Sequence, residues 1–218
     1  LTAVGAIQPC ATYGDSGGVY TISRWSSTSL RVRQVTGDLG GSPTLDSVGF
    51  VSTTGHSAPP DADALGSSVN VDTVGHRLMN AVWRDGNIWT AHAVGIGGKS
   101  AIRWYRVDSD TLVEEMGIII DFSRHFYFPG ICVNSQGDMA IGFSGSNSSE
   151  YIGAWFTGRQ ADDAPGTTGT PVRYRDGGGP INLIDGYGRN RWGDYSLTSL
   201  DPVDGLSFYT IQAYAHSN

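Results

Sequence analysis

Apolar and polar positions alternate with a period of two wherever the chain is regular. Residues 101–107 (Ala-Ile-Arg-Trp-Tyr-Arg-Val) and 151–156 (Tyr-Ile-Gly-Ala-Trp-Phe) are dense in aromatic and β-branched side chains, which fit a pleated, half-buried surface. No stretch carries a 3.6-residue apolar period with a cap at each end. Gly, Pro, Asp and Ser interrupt the pattern about every ten residues. The pattern predicts strands joined by tight turns and almost no helix.

The turns themselves recur. Asp15-Ser16-Gly17-Gly18, Asp85-Gly86-Asn87, Gln136-Gly137-Asp138 and Asp204-Gly205 each precede an apolar strand, and such pairs supply the positive φ values a tight hairpin needs. Aligned on Tyr20, Trp89, Ala140 and Tyr209, the repeats are separated by 69, 51 and 69 residues. Around each turn the sequence reads as a unit of up to four strands: 3–11, 19–24, 30–35 and 45–51; then 78–83, 88–94, 101–107 and 112–120; then 128–133, 139–143, 151–157 and 171–174. The last unit, 195–200 and 207–214, supplies two strands. An irregular insertion occupies 52–74.

Four antiparallel strands make one propeller blade. A β-sandwich also contains recurring hairpins, but long quasi-repeats of four strands fit blades better. The expectation for residues 1–218 is therefore all-β, a single β-propeller domain or a fragment of one, with about three and a half blades. It is either a small four-bladed ring or the C-terminal part of a six- or seven-bladed one. The innermost strands fall near 78–83, 130–133 and 195–200. An open ring leaves strand edges and blade faces unsatisfied, so remaining blades or a second protein chain are expected partners.

Composition narrows the function. Hydrophobic residues make up 39% of the 218, charged ones 16%, and 31 are Gly, a profile of turn-rich all-β proteins with enough apolar content for a core. A net charge of −7 with Lys99 as the single lysine argues against nucleic acid as a partner. The longest apolar runs, such as 117–120, fall far short of the roughly 20 residues of a membrane helix, so no membrane insertion is expected. The sequence opens at Leu1 without an initiator Met or a signal peptide, as a mature, trimmed or fragmentary form would. Cys10 and Cys132 make no disulfide framework and have no zinc-ligand spacing, so buried strand thiols are expected, their oxidation state left open.

A resemblance enters through Arg191-Trp192-Gly193-Asp194-Tyr195-Ser196, Asp201-Pro202-Val203-Asp204 and Phe208-Tyr209-Thr210-Ile211-Gln212-Ala213-Tyr214, with Ala101-Ile102-Arg103-Trp104-Tyr105 and Tyr127-Phe128-Pro129 before them. Together these resemble secreted bacterial β-propeller proteins loosely labelled sialidase-like or BNR-repeat proteins, mostly without an established activity. The resemblance covers residues 78–218 better than the first 50. It implies the fold and a secreted, extracellular setting but no reaction, because propellers host many functions. Sialidase chemistry would need an arginine trio on a carboxylate, a Tyr–Glu nucleophile pair and an Asp acid/base. Arg77 and Arg191 precede innermost strands, and Arg124 or Arg159 is available as a third. The Phe/Tyr-Arg-Ile-Pro opening and the Ser-x-Asp-x-Gly-x-x-Trp box of that family are both absent.

The candidate chemistry reduces to one cluster. Glycosidases hold two carboxyl groups about 5 to 10 Å apart, yet Asp194 has no obvious partner, since Glu114 and Glu115 belong to an outer strand and Glu150 to a loop. Asp194 alternatively caps backbone amides or pairs with Arg191, and catalytic residues stay unassigned. Asp61-Ala62-Asp63 and Asp108-Ser109-Asp110 alternate carboxylates as calcium loops do, but lack a closing bidentate Glu. No cofactor is expected, and calcium is the one ion the spacing admits. Neither a His-x-x-x-His helix pair nor a Gly-x-Ser-x-Gly elbow is present. Trp89 and Trp155 read as core. Side chains at the starts of innermost strands collect Arg77, Asn80, Tyr127, Arg191, Asp194 and Tyr195 at one channel end, with Trp192 offering a stacking face. The leading expectation is a secreted binding or scaffold module for surface glycans, polymers or proteins, and the alternative is an extracellular glycoside hydrolase of sialidase-like architecture.

Overall fold

The computed structural model describes residues 6–38 and 40–216. Positions 3–5 of the expected first strand lie outside the described residues. The first blade is β1 (Ile7–Tyr13), β2 (Val19–Arg24), β3 (Ser29–Thr36) and β4 (Thr44–Ser52). The second is β5 (Asn80–Arg84), β6 (Asn87–Ile96), β7 (Lys99–Asp108) and β8 (Glu114–Ile119). The third is β9 (His125–Val133), β10 (Met139–Asn147), β11 (Glu150–Arg159) and β12 (Val172–Arg175). A two-stranded sheet, β13 (Leu197–Leu200) and β14 (Phe208–Ile211), follows. Each blade is an antiparallel meander running from its inner to its outer strand, and the described residues form no helix. No helix is thus long and apolar enough to cross a membrane.

The blades stack face to face as the repeat predicts. Tyr20, Ile22, Leu30 and Val32 of the first blade pack against Ile88, Tyr105 and Val107 of the second. Trp89, Ile102 and Trp104 point the other way, onto Ile131, Ile141 and Phe143 of the third. The second blade is consequently apolar on both faces. This corrects the reading of 101–107 as a half-buried surface: Arg103 and Trp104 are both buried because blades cover the strand from both sides. All nine residues of β9 are buried for the same reason.

One feature of the topology was not expected from the repeat. β1 and β5, the inner strands of the first two blades, pair in parallel, with Cys10 opposite Ala81, Ala11 opposite Val82 and Thr12 opposite Trp83. The two blades therefore form a single eight-stranded sheet, ordered β4-β3-β2-β1-β5-β6-β7-β8, which curls until its halves face each other. The whole is an open, propeller-like array of three blades and a two-stranded sheet.

A bulge seats that last sheet. Phe128, buried in β9, has φ of 54°, a rare conformation for a bulky residue, and the β9–β10 register shifts there. Its carbonyl accepts a hydrogen bond from Ser196 Oγ at 2.6 Å. Two residues on, the Gly130 carbonyl accepts one from Thr198 Oγ1 at 2.7 Å. A Cβ at Gly130 would stand 3.1 Å from Ser196 O and Thr198 N, so glycine lets β13 approach.

Candidate functional site

Strands of even number end, and strands of odd number begin, at the same end of every blade. Two long loops, 53–79 and 176–196, cover that end. Ser57 bridges Gly95 at the tip of β6, Ala62 pairs with Val71, and Val71 pairs with Asn190, which joins one loop to the other. Asn190 is fully buried. Its Nδ2 donates to the Val69 and Ile181 carbonyls at 2.8 and 2.9 Å, and its Oδ1 accepts from Leu183 N at 2.9 Å. Every polar atom of that side chain is thus used in riveting the loops.

Charges run across the riveted surface in alternation. Arg189 pairs with Asp185 at 2.7 Å and with Asp72 at 3.5 Å, and Arg191 pairs with Asp72 at 3.6 Å and also with Asp194. Partial desolvation and the Asp72 charge push the Asp61 carboxyl above its ordinary range. Tyr187 and Tyr195 stand out from this surface, 87% and 74% exposed.

Beside it, at the first two blades, lies a cavity of about 450 Å³ lined by Ala6, Arg24, Val74, Gly75, His76 and Arg77. Val74 and Gly75 both have positive φ, 54° and 74°, and Asp72 Oδ1 fixes the turn by accepting from Val74 N at 2.7 Å. Among the described residues no carboxylate lines the cavity. Among the described residues neither Arg24 nor Arg77 has an ion pair, as is also true of Arg31, Arg33, Arg84, Arg103 and Arg175, whereas Arg106, Arg124, Arg159, Arg173, Arg189 and Arg191 are paired.

Behind the cavity, His56 lies 5.3 Å from His76 and 4.9 Å from His92, ring centre to ring centre. His92 is fully buried. A carbonyl only accepts, so the 2.8 Å contact to His76 O assigns the proton to Nδ1 of His92, and Nε2 accepts from the Tyr105 hydroxyl at 3.2 Å. Burial pushes His92 down to about 3. Burial, with Arg103 and His76 nearby, pushes His56 down to about 4, and burial beside Arg24 lowers His76. The cluster is neutral at physiological pH, which leaves the arginines as the cations of this corner.

The predicted site residues divide into three groups. Arg191, Trp192, Asp194 and Tyr195 share the loop surface, with Arg191 and Asp194 paired and Trp192 Nε1 donating to Ser144 Oγ at 3.1 Å. Arg77 lines the separate cavity. Asn80 and Tyr127 are committed inside the array: Asn80 bonds both backbone groups of Ile131, and Tyr127, fully buried, meets Ser146 Oγ at 2.9 Å. The third-arginine candidates are engaged elsewhere, Arg124 with Asp121 and Glu150 and Arg159 with Glu115. Asp108 Oδ1 accepts from Asp110 N, Thr111 N and Thr111 Oγ1 as a turn cap. Asp63 faces Lys99 and His125 at 3.6 Å. Among the described residues no group of three or more His, Cys, Asp or Glu side chains is placed to hold a metal ion.

Sequence reading missed Arg24, Asp72, Arg189 and the three histidines. Arg24 was findable, because it closes a second strand at the end where first strands begin. The others converge through loop packing, which no local pattern announces. Comparisons with family models, curated proteins and solved structures found no match for this chain. The structure supports an all-β, propeller-like fold.

Proposed function

We propose that this chain is a secreted, non-catalytic binding or scaffold module that takes an oxyanion-bearing surface glycan or polymer between Arg24, His76 and Arg77. The observation that carries the reading is two arginines without ion-pair partners lining one acid-free cavity. A guanidinium fork matches a carboxylate, sulfate or phosphate through paired hydrogen bonds. Tyr187, Tyr195 and the partly exposed Trp192 on the adjoining surface offer sugar-stacking faces. The extracellular setting follows from the family resemblance.

Titration with oligogalacturonate, and with its reduced, neutral counterpart, tests this. Arg24→Ala and Arg77→Ala should each weaken oligogalacturonate binding about tenfold or more, which is the loss of about 1.4 kcal/mol, without lowering Tm. Equal binding of the neutral sugar, or variants that bind as the wild type does, would overturn the proposal.

A glycoside hydrolase is the second reading, favoured by one observation. Asp61, with its raised pKa, lies beside Asp72, and Asp72 shares Arg191 with Asp194. A carboxyl whose pKa is raised by burial and by a neighbouring carboxylate is the kind of group glycosidases use as their acid. Glycoside turnover that disappears in Asp61→Asn and Asp194→Asn would establish it over the first reading.

A further inference from the structure

A second cavity, of about 620 Å³, lies away from the loop surface. It opens over the third blade, floored by Ala140, Gly142, Phe156, Gly158 and Tyr174 and walled by Phe208 and Thr210 of β14. Its lining is mostly apolar. The blade interfaces elsewhere in the chain show what belongs at such a place. On the first blade, Leu112, from the turn between β7 and β8, sits over Gly49 of β4. On the second, Arg159 of β11 lies 5.6 Å over the Trp104 ring, and the Gly166 carbonyl meets Gly117. In both cases the outer two strands of the following blade cover the outer half of the preceding one. Trp104 is fully buried as a result.

On the third blade that half is covered, among the described residues, only at the loop end of β12, where Tyr214 lies against Arg175. β13 and β14 cover only its inner strands, where Thr210 and Gln212 pack on Gly142. Phe156, Val172 and Tyr174 remain 40%, 48% and 43% exposed. Phe156 lies in one row with Gly142 and Gly130 across the blade, so the apolar floor runs without a break into the interface that β13 and β14 already occupy. The outer edge of β14 has no strand partner among the described residues, and an unpaired edge offers backbone donors and acceptors for another strand.

We propose that this groove is a strand-acceptor site, filled by an extended polypeptide that pairs antiparallel with the outer edge of β14 and turns alternate apolar side chains onto Phe156, Val172 and Tyr174. Backbone pairing along β14 supplies affinity, and the floor selects a period-two sequence. The site is separate from the Arg24–Arg77 cavity and does not depend on it.

The test is selection of random linear peptides, long enough to span β14, on the whole chain, with Phe156→Asp and Tyr174→Asp as counter-targets. Enrichment of sequences with alternating apolar residues is expected. Their binding should slow amide exchange in β14 (Phe208–Ile211) at least tenfold and fail with both variants. Both side chains are already partly exposed, so circular dichroism spectra should match the wild type, and a match excludes unfolding as the cause of lost binding. Selected peptides without alternation, unchanged exchange in β14, or no enrichment over the counter-targets would overturn the proposal. Saturation of the groove by a small apolar dye without protection of β14 would also overturn it, assigning the cavity to a small ligand.

Discussion

Asn80 separates a structural role from a binding role by measurement. Its Nδ2 donates to Ile131 O at 2.8 Å and its Oδ1 accepts from Ile131 N at 3.0 Å, so one side chain stitches the inner strand of the second blade to that of the third. Ile131 is fully buried. Asn80→Ala leaves both of its backbone groups without a partner, and each such group costs about 1–3 kcal/mol. The expected loss is about 3 kcal/mol, which for a chain of this size lowers Tm by roughly 6–12 °C. Urea unfolding followed by tryptophan fluorescence reads it as a lower midpoint with an unchanged slope. Tyr195→Ala, at a side chain 74% exposed, should stay within about 0.5 kcal/mol of wild type. If Asn80→Ala also stays within that margin, the stitch contributes little and the residue is free to serve a ligand.

Acid sensitivity should centre on the histidine cluster. The unfolded chain takes up protons near the ordinary histidine pKa of 6.5, whereas folded His56 and His92 resist down to about 4 and about 3. Their contribution is therefore complete above pH 6.5 and is lost as pH falls toward 4 and below. His92→Gln should flatten the fall of the urea midpoint between pH 6.5 and 4, and an unchanged slope would refute this. Cys10 and Cys132 are both free and buried, and burial pushes the Cys10 thiol up to about 12. Neither should react with iodoacetamide at pH 8 until urea is added, so mass spectrometry showing alkylation of the folded protein would contradict the packing. A Cβ at Gly142 would overlap Thr210 Oγ1 and stand 2.6 Å from Gln212 Nε2. Gly142→Ala should hence speed amide exchange in β13 and β14 before the blades respond, and uniform exchange would refute it.

Periodicity and turn chemistry made the blades legible. Asp-Gly turns and alternating runs depend on neighbours in sequence, and the strands expected at 19–24, 88–94 and 139–143 fall within β2 (Val19–Arg24), β6 (Asn87–Ile96) and β10 (Met139–Asn147). The parallel pairing of β1 with β5 was not legible, since it joins residues about 70 positions apart through backbone groups that every residue carries. The site was legible in halves. Arg191 and Asp194 are three residues apart and meet within one loop. Arg24 and Arg77 meet only because the curled sheet brings the end of one blade's second strand beside the start of the next blade's first. Tyr127 shows the converse: its position at an inner strand suggested a ligand contact, but the side chains packed around it bury that ring fully.

The joint between β1 and β5 also makes the array mechanically uneven. The first two blades share a continuous ladder of backbone hydrogen bonds, whereas the third blade and the β13–β14 sheet are attached through side chains such as Asn80, Ser196 and Thr198 and a few isolated loop bonds such as Ala215 N to Ile152 O. Backbone pairing fixes strand separation near 4.8 Å whatever the side chains are. Side-chain joints shift with each substitution. One leaf of the molecule is therefore stiff, and the others are hinged to it. A pull applied across the third blade thus parts the side-chain joints before it breaks the shared ladder of the eight-stranded leaf.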